Sequence, residues 1–348
     1  MHTTERSIRF LFRVAGMALA AAWILALPSA RAALAATEVR FATIAPQTFP
    51  YYAGMAKFKE VIEKKHPGKF SVKLFHSGQM GDERKIEESI LQGSVHIGIG
   101  AGAFAGFAPI MDIVELPFLI KNQAHMEAIA TGPIGKRLAG IVAQQSGFLV
   151  LTWFSTGDST IQTTKVPVRK PEDLKGIKIR TMPNKAMEAA LKAMDANPTP
   201  LSYLQVYTGL KQGVIEGSTV DWMSIKTQKF YESLKYATNP DNAYLAEPRP
   251  VIISKKWFGS LPADVKKAIQ DSLLEAAAYQ RKFFLDEQTK AMEEMKKKGM
   301  VVTDIDVNAF LGKMKPVWES YAKTLDESGK SGSAAQELVK EIIASRPK

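Results

Sequence analysis

The 348-residue chain sets an arginine where chemistry could be done. Ile177-Lys178-Ile179-Arg180 reads as a buried strand ending on a guanidinium, and Thr181-Met182-Pro183-Asn184 then turns into a helix. Parallel α/β sheets bind ligands beyond the carboxyl ends of their strands. A guanidinium placed there can meet a carboxylate through two parallel hydrogen bonds. The same group could instead be tied to a protein Asp or Glu as a structural ion pair. Spacing alone leaves both readings open.

No other pattern reaches that standard. Cys is absent, which excludes disulfides, thiolate metal sites, Cys nucleophiles and dithiol redox chemistry. The five His (His2, His66, His76, His96, His125) are scattered, with no His-Glu-x-x-His. No metal site is therefore expected. Gly100-Ala101-Gly102-Ala103-Phe104-Ala105 fits G-x-G-x-x-A after a strand, but it runs into Phe107-Ala108-Pro109 rather than opening a helix. It reads as a Gly-rich binding-site loop and not as a dinucleotide fingerprint, so no cofactor is expected. Gly329-Lys330-Ser331 carries Thr324 where a P-loop needs its first Gly, and no G-x-S-x-G elbow exists. Glu87-Glu88 lies on a charged helix and reads as solvent-facing. No catalytic residue is expected.

Behind the arginine stand ordinary globular elements: 46% of the residues are hydrophobic and 23% charged, outside the disordered and fibrous ranges. Val39–Thr43, Phe70–Phe75 and Ser94–Ile99 read as strands alternating with helices near Tyr51–Lys65 and from Asp82 to Gly93. That alternation implies a parallel sheet with crossover helices. A second α/β region follows the apolar strand Phe148–Phe154, with helices near Asn184–Met194 and Ser202–Gln212, and Val251–Ser254 is a late strand able to return to the first sheet. Leu261–Lys298 carries no Gly and only Pro262, in its first turn. It reads as one helix of roughly 55 Å, or as two helices broken near Tyr279–Lys282.

The N-terminus reads as an address. Arg6, Arg9 and Arg13 precede an uncharged apolar run from about Val14 to Leu27, then Pro28 and an Ala33-Leu34-Ala35 cleavage site. This is the pattern of a secretory signal peptide, 1–35, too short in its apolar part to span a membrane. The mature chain is expected outside the cytoplasm, in the periplasm, and not membrane-spanning. Removing the signal lowers the formal charge from +11 to about +8. The lysines are interspersed with Glu, as in Glu293-Glu294-Met295-Lys296-Lys297-Lys298. Solvated helix faces account for them, and no nucleic-acid partner is expected.

Several stretches taken in order resemble one family. They are Ser77-Gly78-Gln79-Met80-Gly81-Asp82-Glu83-Arg84, Pro171-Glu172-Asp173-Leu174-Lys175-Gly176-Ile177-Lys178-Ile179-Arg180, Gln212-Gly213-Val214-Ile215-Glu216-Gly217 and Gln228-Lys229-Phe230-Tyr231-Glu232. Phe118-Leu119-Ile120 and Leu261-Pro262 add to them. Over roughly 38–345 the chain resembles the solute-binding subunits of tripartite ATP-independent periplasmic (TRAP) transporters. The resemblance implies a two-domain α/β periplasmic binding protein, type II-like, with a long domain-spanning helix. Its domains would be 36–156 plus 245–284, and 157–244 plus 285–348, with the cleft between them. It implies no enzyme activity, an organic-acid ligand and the TRAP permease membrane subunits as partners. It also makes Arg180 the ligand-carboxylate anchor.

Two departures from the family pattern bear on the ligand. Many relatives carry a further Arg after the Phe148–Phe154 strand, where this chain has Thr156-Gly157-Asp158-Ser159-Thr160. Where relatives place an amide contact, this chain has Val220, within Ser218-Thr219-Val220-Asp221. With a single cationic grip a dianion would be poorly compensated in a closed cleft, which favours a monocarboxylate. Trp153, Trp222, Phe49 and Tyr52 are candidates to pack an apolar tail, and each could equally be core. Asp158 and Asp221 are candidates to accept hydrogen bonds from a ligand hydroxyl or amine, or else are surface loop residues, and Ser159 is a further candidate ligand contact. A ligand-presenting receptor for a sensor kinase, and a secreted enzyme acting on a carboxylic acid, are the alternatives to transport.

Overall fold

The computed structural model describes residues 36–347, and the expected signal peptide lies outside the described residues. Ten strands are present in that range: β1 (Thr37–Ala42), β2 (Phe70–Phe75), β3 (Ile97–Ile99), β4 (Phe148–Thr163), β5 (Lys178–Thr181), β6 (Asn197–Pro200), β7 (Gly217–Asp221), β8 (Tyr236–Thr238), β9 (Leu245–Ser254) and β10 (Val301–Thr303). The α-helices are α1 (Pro50–Lys65), α2 (Glu83–Gln92), α3 (Gln123–Thr131), α4 (Pro133–Gln145), α5 (Lys185–Ala193), α6 (Val206–Lys211), α7 (Trp222–Thr227), α8 (Lys255–Ser260), α9 (Ala263–Lys297), α10 (Val307–Glu327) and α11 (Ala335–Ala344).

The strands form one mixed sheet in the order β2-β1-β3-β9-β4-β7-β5-β6, with β8 joining β4 to β10. Each end is parallel, as the β-α-β reading requires: β1 with β3 (Phe41 opposite Ile97), and β5 with both β7 and β6. The middle is antiparallel. Strand β9 runs against β3 and against β4, and β4 runs on to pair with β7. The late strand therefore does return to the first sheet. The sixteen-residue β4 is longer than the run 148–154 suggested, because its second half (Thr156–Thr163) is polar and looked like loop.

Helix α9 is unbroken over 35 residues, about 50 Å. The reading with a break near Tyr279–Lys282 is overturned. No Gly or Pro interrupts its hydrogen bonds, and Asp264 in the first turn and Lys296 and Lys297 in the last complement its dipole. Its buried residues serve two cores. Ile269, Leu273 and Ala276 pack with Phe41, Phe58, Ile97 and Ile253, whereas Phe284, Ala291 and Met295 pack with Phe49, Trp222, Met223 and Phe230. Each large apolar side chain so buried contributes roughly 1.5–3 kcal/mol.

On either side of Phe284 α9 carries two buried polar residues, Gln280 and Gln288. They face a bulge in β4, where the register with β9 shifts between Ser155 and Asp158. A bulge leaves backbone groups outside the ladder, and buried ones need partners. Gln280 supplies both kinds: Ser155 N–H donates to its Oε1 at 2.8 Å, and its Nε2 donates to the Ser155 carbonyl at 2.9 Å. Asp158 N–H donates to Gln288 Oε1 at 2.7 Å. Gly157 within the bulge has φ +75°. A Cβ there would lie 2.1 Å from Gln288 Oε1 and 2.5 Å from the Phe284 ring.

Gly157→Ala should therefore destabilise the fold by more than about 2 kcal/mol, through both a strained backbone and displacement of α9. Chemical denaturation of the two proteins measures it. Equal midpoints would show that the bulge and helix yield without cost.

Candidate functional site

Four strand ends open onto one cavity, and each ends in a residue that lines it or leads into one that does. Thr43, Ile44 and Ala45 follow β1, Ala101 follows β3, Arg180 lies on β5, and Thr219, Val220 and Asp221 end β7. Phe49 and Tyr51 at the start of α1 and Glu83 and Ile86 at the start of α2 add one side. Thr156 and Ser159 from β4, Met182, Tyr203, and Glu247 and Arg249 from β9 complete it. The enclosed volume is about 70 Å³, room for a handful of waters or a small organic molecule. The Gly-rich segment closes one wall: a Cβ on Gly102 would come within 2.8 Å of Met182 Cβ.

Arg180 is 1% exposed, held between β6 and β7 by pairing with Thr199 and Ser218. Its Nε donates to the Leu201 carbonyl at 3.0 Å, and its Nη2 has no hydrogen-bond partner. No carboxylate forms an ion pair with it among the described residues. Burial pulls its pKa down to about 10, against the field of Glu83. A desolvated cation with an unused donor on a cavity wall has the chemistry to accept an anion.

Arg249 is the second guanidinium in the wall, and the sequence reading missed it. It is differently committed. Its Nη1 donates to Glu115 Oε1 at 3.1 Å, and its Nη2 donates to the Glu247 carboxylate. All three side chains are buried. The expectation of one cation in the cleft is thus corrected in number, while the charge of the second is taken up by protein acids. Burial raises the Glu115 carboxyl above its usual range.

Asp221 caps α7: the Ser224 N–H donates to its Oδ1 at 2.9 Å and the Ser224 hydroxyl to its Oδ2 at 2.6 Å. Burial nevertheless raises it to about 6. The hydroxyl of Tyr203 donates to Ser224 Oγ at 3.1 Å, which fixes that ring on the wall. Ser159 stands opposite Asp221 in the ladder. Val220 is pinned through its backbone by Gln162, whose Nε2 donates to the Val220 carbonyl at 2.8 Å.

Of the residues singled out from sequence, Arg180, Ser159, Val220, Asp221 and Phe49 line the cavity. Four lie elsewhere. Trp153 is buried in the core beside β9, its carbonyl accepting from Arg281. Asp158 points to α9, bonded by Gln123 and Gln288, and shares a separate recess with Trp222. The Trp222 ring is itself sealed in a core. Tyr52 sits at the surface against His76, its hydroxyl accepting from Gln47. Glu87 also departs from expectation. It is 1% exposed with both oxygens unpartnered, because α2 turns it to the same side as Ile86 and Ile90. Burial holds its carboxyl well above the usual range.

Residues 41–324 match the sequence model of the bacterial extracellular solute-binding proteins, family 7. The chain belongs to that family. It is 30% identical over 307 residues to the 2,3-diketo-L-gulonate-binding periplasmic protein of Escherichia coli, covering 88% of this chain and 90% of the relative. Among solved structures it superposes with TM-score 0.82 and 26% identity on a TRAP periplasmic solute-binding protein from Sulfitobacter with bound β-D-galacturonate, covering 88% of this chain and all of that one. A TRAP solute-binding protein from Polaromonas bound to D-erythronate gives TM-score 0.81 and 26% identity, over 90% of this chain. The fold is the two-domain α/β architecture of TRAP solute-binding proteins, and the family binds solutes rather than transforming them. Among the described residues no cluster could hold a metal ion and no helix is long and apolar enough to cross a membrane.

The raised Asp221 gives a pH prediction. Its carboxyl titrates near 6 when folded, against an ordinary value of 3.8. The folded state therefore binds the extra proton between those values, and stability from this group falls as pH rises through that window. Asp221→Asn keeps the helix cap and removes the titration. Its stability relative to the parent should rise by up to about 3 kcal/mol between pH 4 and pH 7. Melting curves across that range check it, and a flat difference would refute the effect.

Proposed function

We propose that the protein captures a small organic-acid anion, with a monocarboxylate favoured, in the periplasm and delivers it to TRAP permease membrane subunits. The single observation behind this is the Arg180 guanidinium, buried on the cavity wall with Nη2 unbonded and no protein acid paired to it. A ligand carboxylate fits that vacancy of partner through one or two charge-assisted hydrogen bonds. The monocarboxylate preference draws support from Arg249. Its charge is engaged by Glu115 and Glu247, which leaves one free cation for the ligand. Galacturonate and erythronate, bound by two structural relatives, are themselves monocarboxylates.

In this reading Arg180, Ser159, Val220, Asp221 and Phe49 contact the ligand, joined by Tyr203, Glu247 and Arg249. Trp153, Asp158, Trp222 and Tyr52 act from outside the cavity: the first three shape its supports and Tyr52 its approach. The domains are 36–156 plus 245–284, and 157–244 plus 285–348. The cavity draws Thr43, Thr156 and Arg249 from the first and Arg180, Val220 and Asp221 from the second, as a cleft between them requires. Segment 1–35 serves as the export signal.

Mass spectrometry of ligand retained through gentle purification should find a carboxylic acid. A matching acid at a hundredfold excess over Kd should raise stability by about 2.7 kcal/mol, without turnover. Arg180→Lys should weaken binding by about 10–100-fold, because an ammonium cannot reproduce the planar fork. Unchanged affinity in that variant, or conversion of the acid to product, would sink the proposal.

A further inference from the structure

We infer that the cargo carries a protonated amine as well as its carboxylate, a small amino acid or similar zwitterion, with the ammonium held by Glu247 and Asp221. This rests on the proposed role of Arg180 as the carboxylate anchor. It is argued from the other charges in the same wall.

Five charged side chains line the cavity: Arg180, Arg249, Glu83, Asp221 and Glu247. Glu115 stands directly behind, bonded to Arg249. Acidic groups thus outnumber basic ones before any ligand arrives, although burial raises the Glu83, Glu115 and Asp221 carboxyls and so lessens the excess. A plain carboxylate would satisfy Arg180 and still deepen the negative excess of a closed, desolvated space, where uncompensated charge is costly. A ligand with an ammonium adds no net charge.

The wall also shows where that ammonium belongs. Glu247 is 1% exposed and lines the cavity, yet only one of its oxygens is used, by Arg249, and Oε2 has no hydrogen-bond partner. An unpartnered buried carboxylate oxygen calls for a donor. Asp221 supplies a second carboxylate, each of whose oxygens already accepts from Ser224 and retains capacity for more. The same cavity is also lined by the aromatic side chains of Phe49, Tyr51 and Tyr203. Such rings favour a cation over a neutral hydroxyl. A hydroxyl could donate to Glu247 Oε2, but it would leave the charge excess in place, so charge is what separates the two cargo chemistries.

Matched pairs test this on the wild-type protein. Alanine against lactate, serine against glycerate, and 4-aminobutyrate against 4-hydroxybutyrate differ only in ammonium or hydroxyl. Calorimetry at pH 7 should find the amino member binding about tenfold or more tightly in at least one pair. Glu247→Gln should shrink that preference to within about threefold while Arg180→Lys weakens both members together. Asp221→Asn, which keeps its helix cap, should lower the preference without lowering the melting temperature at pH 7. Hydroxy acids binding as tightly as their amino partners throughout, with or without proton uptake, would overturn the inference and leave the carboxylate reading standing. Failure of all six acids to bind would overturn both.

Discussion

A guanidinium sealed in a protein wall with one nitrogen unbonded lowers stability, and Arg180 is such a group. Much of the surrounding architecture serves to hold it there. Strand β5 lies between β6 and β7, so its backbone cannot swing, and Leu201 takes the Nε proton. Nη2 is left buried without a protein partner. Had a protein carboxylate reached that atom, the group would be a structural ion pair and the cavity would lose its handle on an anion.

The position of that wall depends on β4 and α9, the longest strand and the longest helix, each of which contributes to more than one core. Strand β4 pairs with β9 along Phe148–Ser159 and with β7 along Ser159–Thr163, so Ser159 and Thr156 reach the cavity from the strand that crosses it. The bulge at Ser155–Asp158 falls at this crossing, and α9 answers it with the side-chain amides of Gln280 and Gln288, with the Phe284 ring against Gly157 between them. Amides can exchange partners over small displacements at modest net cost, whereas interdigitated Phe and Leu cannot.

Sequence legibility followed this division. Strand-end Arg180 was readable because an apolar strand terminating on a charge has few roles. The helix starts at Asp82 and near Asn184 were readable, and in the structure each side chain caps its own helix. Aromatic type, by contrast, says nothing about facing, so Trp153 and Trp222 went to cores while Tyr51 and Tyr203 reached the cavity. Gln280 and Gln288 looked like ordinary polar helix residues, because a bulge on a distant strand leaves no local mark. The second arginine did leave a signal. Glu247-Pro248-Arg249-Pro250 interrupts an apolar run with two charges at alternate positions, and alternate positions of a strand share a face. The family pattern places its second Arg after 148–154, which draws attention away from β9.

That pair of charges also bears on why the cavity wall is built as it is. Glu115, Arg249 and Glu247 bind a central strand to the turn Pro109–Glu115, and Arg249 also reaches Met182 Sδ at 3.4 Å, two residues beyond Arg180. Buried ionic clusters of this sort rarely exceed well-packed apolar residues in stability. Fastening the fold is therefore a weak reason for this one, since Val251 and Ile253 further along the same strand do that in apolar form. Its position on the cavity wall supplies a better reason. With two acids on one guanidinium the cluster is net negative, and it stands beside a lone cation whose charge it offsets only across space. On the proposed reading a ligand entering between them would meet a dipolar wall, with an acid group drawn to Arg180 and a donor to Glu247, so that selectivity would draw on both ends at once.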